Sequence, residues 1–186
     1  MKPTIRVHAV LGSTRSLEPT IRPRNPGLHL PGGVTATRWL SQGASQSVGW
    51  PLAVEGVLNE DCSCARHCVL NLAESEMGFE ALTDELDPRY QRGLPRILAV
   101  MSDVSAQILQ LGAKAVPGWV LLDLIAPGEA RRVKKVQSWC TRQGLEMALV
   151  GEILGTVGQP PTILPYHPLT VIQDMATFLA SQDPKI

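Results

Sequence analysis

Apolar runs and the residues that punctuate them divide this chain into elements. From Arg96 to Glu152 the pattern reads strand, helix, strand, helix, strand, with RILAVMS, WVLLDLI and LEMALVG as the strands. Each boundary carries a local signal. Ser102 or Asp103 can cap a helix over Val104 to Leu111, and Gly112 closes it. Pro117 and Gly118 precede the central strand, Pro127 and Gly128 open a helix over Glu129 to Gln143, and Gly144 ends it. Near-continuous apolar strands joined by helices are the pattern of a parallel sheet buried on both faces, with right-handed crossovers. The predicted fold class is therefore α/β: three layers around a mainly parallel sheet, a βαβαβ core at residues 96–152, flanking helices and an irregular N-terminal arm.

The rest of the chain is less regular. Residues 5–11 alternate loosely and suit a strand. Beyond it, Pro19, Pro23, Pro26, Pro31 and the glycines among them interrupt any regular element, so residues 1–50 read as a basic Pro/Gly-rich arm and 51–186 as the globular domain. Thr35 to Ser47 suits a short helix, and Pro51 to Leu58 a short strand. Helices are predicted from about Asp61 to Met77, stopping at Gly78, and from Phe79 to Leu86, stopping before Pro88. After the proline-rich stretch 155–168, Leu169 to Ser181 forms an amphipathic helix with Val171, Ile172, Met175, Phe178 and Leu179 on one face.

Charge changes this picture little in total and more in distribution. The formal net charge is zero, so no global field favours nucleic acid or an anionic membrane. Residues 1–50 carry six Lys/Arg against Glu18, whereas residues 51–90 carry nine Asp/Glu against Arg66 and Arg89. Segments of opposite sign favour docking within the chain or self-association, so a homo-oligomer or a protein partner fits the pattern. The helix bearing Arg131, Arg132, Lys134, Lys135 and Arg142 is basic, without interleaved aromatics, and reads as a solvated face. No apolar run approaches the roughly 20 residues of a membrane span, and the N-terminus lacks the apolar core of a secretory signal. The expected setting is the cytoplasm, where the four cysteines would be thiols.

An acidic residue stands at or near the end of each strand of the alternating region: Asp103, Asp123 and Glu152. Open α/β sheets bind ligands at the carboxyl ends of their strands. Carboxylates gathered there can hold Mg²⁺ for a phosphate or nucleotide, with Asp103 and Asp123 as metal ligands and Asp103 and Glu152 as ligand-binding residues. Asp123 is the candidate catalytic residue, able to accept a phosphoryl group. The competing reading makes Asp103 a helix cap, Asp123 an ion-pair partner and Glu152 a solvated loop residue. A non-catalytic assembly protein on an α/β scaffold is a further alternative. Whether the chain is an enzyme stays open at this point.

Three local resemblances bear on the same edge. Val120 to Gly128 (VLLDLIAPG) resembles the phosphoacceptor segment of response-regulator receiver domains over about nine residues; the resemblance implies Asp123 as acceptor and Asp103 as an Mg²⁺ ligand. The interval from Asp103 to Asp123 is shorter than the helix–strand–helix a receiver places there. SDVSAQILQLGAKAVPGWVLLDL, together with the later GLEMALVGE, is similar to ATP-binding domains of the aminoimidazole-ribotide-synthetase type but lacks their Gly-Gly-Glu-Thr ending. Gly12-Ser13-Thr14-Arg15 is similar to the phosphate loop of flavodoxin-like FMN reductases, with a proline-studded stretch where those proteins begin a helix. None of the three establishes a family.

Cys62, Cys64, His67 and Cys68 supply thiol and imidazole within seven residues, the donors of zinc and iron–sulfur centres. The i, i+4, i+8 spacing of Cys64, Cys68 and Leu72 offers a rival account, a buried helical stripe of small apolar residues. Redox chemistry is the third reading. His8, His29 and His167 are scattered and read as structural or exposed, and Trp39 and Trp50 suggest an apolar interface patch.

Overall fold

The computed structural model describes residues 4–12, 29–30, 34–35, 50–59, 67–74, 76–124, 128–156 and 168–182. In chain order these form β1 (Thr4–Gly12), β2 (His29–Leu30), β3 (Val34–Thr35), α1 (Trp50–Asn59), β4 (His67–Asn71), α2 (Phe79–Thr83), a 3₁₀ turn (Tyr90–Arg92), α3 (Leu94–Gln110), β5 (Lys114–Asp123), α4 (Ala130–Arg142), β6 (Glu146–Leu149), α5 (Val150–Thr156) and α6 (Pro168–Ser181). β2 and β3 make a small antiparallel pair. The other four strands form one parallel sheet in the order β4-β1-β5-β6.

Helices cover both faces, which confirms the three-layer α/β reading. On one face α2, α3 and α4 bury Leu82, Ile97, Val104, Ile108, Val136 and Cys140 against Val7, Leu70, Val120 and Leu122. On the other, α1, α5 and α6 bury Val54, Ile153, Val171, Met175 and Leu179 against Val10, Val69 and Leu121. β1 and β4 are covered on both sides, so β1 from Val7 onward and all of β4 are buried, polar residues included.

Several elements differ from the sequence pattern for identifiable reasons. RILAVMS is not a strand; it lies inside α3, a 17-residue helix. Pro95 in its first turn presets helical φ, and Leu94, Ile97, Met101, Val104 and Ile108 fall on one helical stripe. Ser102 and Asp103 are consequently exposed mid-helix residues rather than caps or strand ends. Residues 51–58 are helix, not strand, with Pro51 again near the N-terminus. The predicted helix 61–77 contains β4 instead, and the five residues of β4 are buried on both faces, which erases the alternation that marks a strand. Thr35 pairs with His29 in β3; the remainder of the predicted helix 35–47 lies outside the described residues, as do Trp39 and most of the arm.

The boundary at residue 51 does not hold for β1, which lies between β4 and β5 in the sheet and belongs to the domain. Other expectations hold. Gly112 and Gly144 stand two residues past the ends of α3 and α4 with φ of 88° and 73°, and the next residues return their N–H groups to Ile108 and Cys140. That is the glycine C-terminal cap the sequence predicts. α4 and α6 form where expected.

Candidate functional site at the carboxyl edge of the sheet

The strand order creates a topological switch. From β1 the chain passes outward to β4 through α1 on one face. It then returns over β1 to β5 and on to β6 through α3 and α4 on the opposite face. Crossovers therefore diverge between β1 and β5, the position at which open α/β sheets place ligands. Gly12 and Asp123 are paired in register at that position.

Asp123 lies on the α1–α6 face and is 1% exposed. The indole N–H of Trp50, the first residue of α1, donates to its Oδ2 at 3.2 Å. Trp50 is itself buried, so it is a site residue rather than part of an exposed patch. At the neighbouring strand end Asn71 is buried, and its Oδ1 accepts the N–H of Ala73, turning the chain away from the sheet. The next backbone contact returns to β1: Glu74 N–H donates to Gly12 O at 3.0 Å. Glu74 in turn collects two guanidiniums, Arg96 at 2.6 Å and Arg92 at 3.2 Å. Arg92, Gly93 and Arg96 are the approach to and first turn of α3, so this long helix begins beside the exit of β1. The edge thus holds a buried carboxylate on β5 and an Arg–Glu–Arg group beside β1.

The three carboxylates predicted from sequence do not meet. Asp103 is exposed on α3, in the layer over one face. β6 ends at Leu149, and Glu152 is exposed on α5, in the layer over the other. Of the three, Asp123 alone is at a strand end, at the switch point. Among the described residues no group of three or more His, Cys, Asp or Glu side chains is placed to hold a metal ion. Ser13, Thr14 and Arg15, next in the chain after Gly12, lie outside the described residues. The sequence did not single out Trp50 as a carboxylate partner, nor Arg92, Arg96 or Glu74; a buried tryptophan and an arginine spacing of four residues were the available signals.

The cysteine cluster is divided by β4. Cys68 packs in the α3 core, while His67 faces the opposite side of the sheet, as alternate strand residues must. Cys62 and Cys64 lie outside the described residues. Cys140 is buried beneath α4, and burial pushes its thiol up to about 11. Both described cysteines are core-packing groups.

His67 instead meets His8, which the sequence left among the scattered histidines. His8 Nε2 and His67 Nδ1 are 3.0 Å apart, with the rings 16° from parallel. The Trp119 backbone N–H donates to His8 Nδ1 at 3.0 Å. With Nδ1 accepting, neutral His8 carries its proton on Nε2 and donates to His67. This occurs at an irregularity in the β1–β5 ladder, where the register shifts between Val7 and Ala9. The imidazole fills the bulge and takes an N–H that the ladder leaves over. Gly118 makes the room: a Cβ there would strike the His8 ring at Nδ1. Burial first, then the neighbouring His67 and Arg6, hold the pKa of His8 well below the ordinary value of 6.5.

Comparison with known proteins adds little to this geometry. No family model matches the chain, and no curated protein matches it. A proposed SGNH hydrolase from Slackia heliotrinireducens superposes with a TM-score of 0.34 at 10% identity, over 95% of this chain and 75% of that one. An overlap that loose carries no argument about the site.

Proposed function

We propose that this protein binds a small phosphate-bearing ligand, of nucleotide type, in the crevice between the carboxyl ends of β1 and β5. The observation that carries the reading is the burial of Asp123 at the topological switch point, in register with Gly12. The chemistry of the two sides is complementary to such a ligand. A buried carboxylate accepts hydrogen bonds from a hydroxyl, or shares Mg²⁺ with phosphate oxygens, since Mg²⁺ is commonly held by one or two carboxylates together with the substrate. Arg92 and Arg96 beside the β1 exit carry one more positive charge than Glu74 neutralises.

A thermal-shift screen of nucleotides and inorganic phosphate, with and without Mg²⁺, tests this directly. A ligand at about 100 times its Kd stabilises the folded state by roughly 2.7 kcal/mol. The expected result is a shift with at least one phosphate compound that Asp123→Asn and Arg96→Gln each reduce. A shift needing Mg²⁺ assigns Asp123 to the metal; one independent of Mg²⁺ assigns it to a ligand hydroxyl. No shift with any phosphate compound, or one indifferent to both substitutions, overturns the reading.

The assembly alternative has less behind it. Leu98 and Leu109 are exposed on α3 but stand eleven residues apart, roughly 16 Å along the axis. Single exposed apolar residues of this kind are ordinary.

A further inference from the structure

Away from the sheet edge, α2, the 3₁₀ turn and the first residue of α3 face α4 across a cleft of about 130 Å³. None of the crevice residues lines it. Its floor is apolar and buried: Leu82, Leu94 and Val136. Tyr90 and Trp139 are half-buried aromatics in its lining, and Lys135 and Arg142 bring charge from α4. We infer that this cleft is a second binding site, for a small aromatic carboxylate of about one ring.

Three features of the cleft select that class. The first is size. The cleft, at about 130 Å³, is well below the 300–1,000 Å³ of sites for drug-sized molecules. That size matches one ring with a small substituent. The second is charge. α4 (ARRVKKVQSWCTR) contains five cations and no carboxylate, and of these Arg132 is paired with Glu129. Lys135 and Arg142 take part in no ion pair among the described residues and lie two turns apart with Trp139 between them. In the sequence this helix has the pattern of a solvated face; in the structure four of its residues, Lys135, Val136, Trp139 and Arg142, line the cleft. The third is the combination. A free phosphate would use the cations and leave the aromatic residues and apolar floor without a role. A flat ring bearing a carboxylate uses all of them, with the guanidinium and ammonium on the anion and the ring against Trp139 and Tyr90. Glu85, also in the lining, repels an anion and so directs the carboxylate to the α4 side.

The test is a titration of the ¹⁵N-labelled full chain with benzoate, monitored at the Trp139 indole and Arg142 side-chain signals. Benzamide, a neutral isostere, and inorganic phosphate are the comparison probes. Saturable benzoate shifts at both signals are expected, with benzamide and phosphate each binding at least tenfold more weakly. Arg142→Gln and Lys135→Gln should each weaken benzoate at least tenfold, and because both residues are exposed these variants should keep the wild-type melting temperature. Asp123→Asn should leave the titration unchanged, so failure of the crevice site and failure of this one are separable. Shifts that do not saturate, benzamide binding equal to benzoate, phosphate binding equal to benzoate, or indifference to both α4 substitutions would each overturn the proposal.

Discussion

At the scale of single residues, the core is most exacting where His8 enters the sheet. Both ring nitrogens are engaged, so protonation breaks a bond to Trp119 and places a cation beside Arg6 in an apolar layer. The groups facing it are His67 on β4 and Arg6 on its own strand, both of which disfavour the charged form. The unfolded chain binds a proton near pH 6.5, whereas folded His8 binds one only at lower pH. Stability is therefore flat above that value and falls as pH drops through it, at up to about 1.4 kcal/mol per pH unit, until the folded group titrates. Urea midpoints measured from pH 7.5 to 5 should show this loss. His8→Asn, which can still accept the Trp119 N–H, should be less stable at pH 7 and less sensitive to acid over the same range. An unchanged slope would remove His8 as the cause. Gly118→Ala is the companion substitution. Its Cβ would strike the imidazole and the Val7 carbonyl, costing about 1–3 kcal/mol. In a His8→Ala background part of that clash is gone, so the double variant should lose less stability than the two single losses added together. None of this was legible in the sequence, because His8 and His67 are 59 residues apart and nothing local marks a bulge.

At the scale of elements, α1 explains how a sheet with an edge strand stays closed. Successive residues of β4 direct their backbone groups to opposite sides, and β1 pairs with one of those sides. On the outer side, Asn59 Nδ2 donates to His67 O at 2.9 Å and Asn59 Oδ1 accepts His67 N–H at 3.2 Å. Glu55, one turn earlier, accepts Val69 N–H at 2.9 Å through Oε2. Two side chains of α1 thus stand in for a fifth strand, which blunts an edge that otherwise invites pairing with another chain. Asn59→Ala leaves two buried backbone groups unsatisfied, and a loss of about 2–4 kcal/mol is expected from chemical denaturation. Amide exchange at His67 should accelerate at the same time, and the variant should aggregate faster on warming. If exchange at His67 matches the global rate in both proteins, α1 is not protecting the edge. The helix–strand assignments that the sequence pattern misses share this cause. Residues 51–58, 67–71 and 96–102 are short or unbroken apolar stretches, where periodicity cannot separate strand from buried helix. Glycine stops and the long amphipathic α4 and α6 were readable because their signals are local.

At the scale of the molecule, the α/β class and the sheet edge were legible, whereas the identity of the central strand was not. β1 sits ahead of a Pro/Gly-rich stretch that resembles an arm, and only long-range pairing with β4 and β5 places it in the middle. That placement moves the switch point to Gly12 and Asp123 and leaves Asp103 and Glu152 in opposite helical layers. The two layers should differ in how they couple to the site. α6 packs on α1, and Met175 shares a core cluster with Trp50, whose indole holds Asp123. Ile108 of α3 belongs to the other cluster. Met175 and Ile108 are both fully buried, so truncating either to alanine should cost about 2–5 kcal/mol. The costs can be similar while the local consequences are not. Met175→Ala should speed exchange of the Trp50 indole N–H beyond what its global loss explains, because the cavity opens in the layer that seats the ring. Ile108→Ala, on the far side of the sheet, should raise that exchange only in step with global unfolding. Equal excess exchange in both variants would show that the sheet transmits disorder between its faces, and Trp50 would then report the whole core rather than the layer behind Asp123.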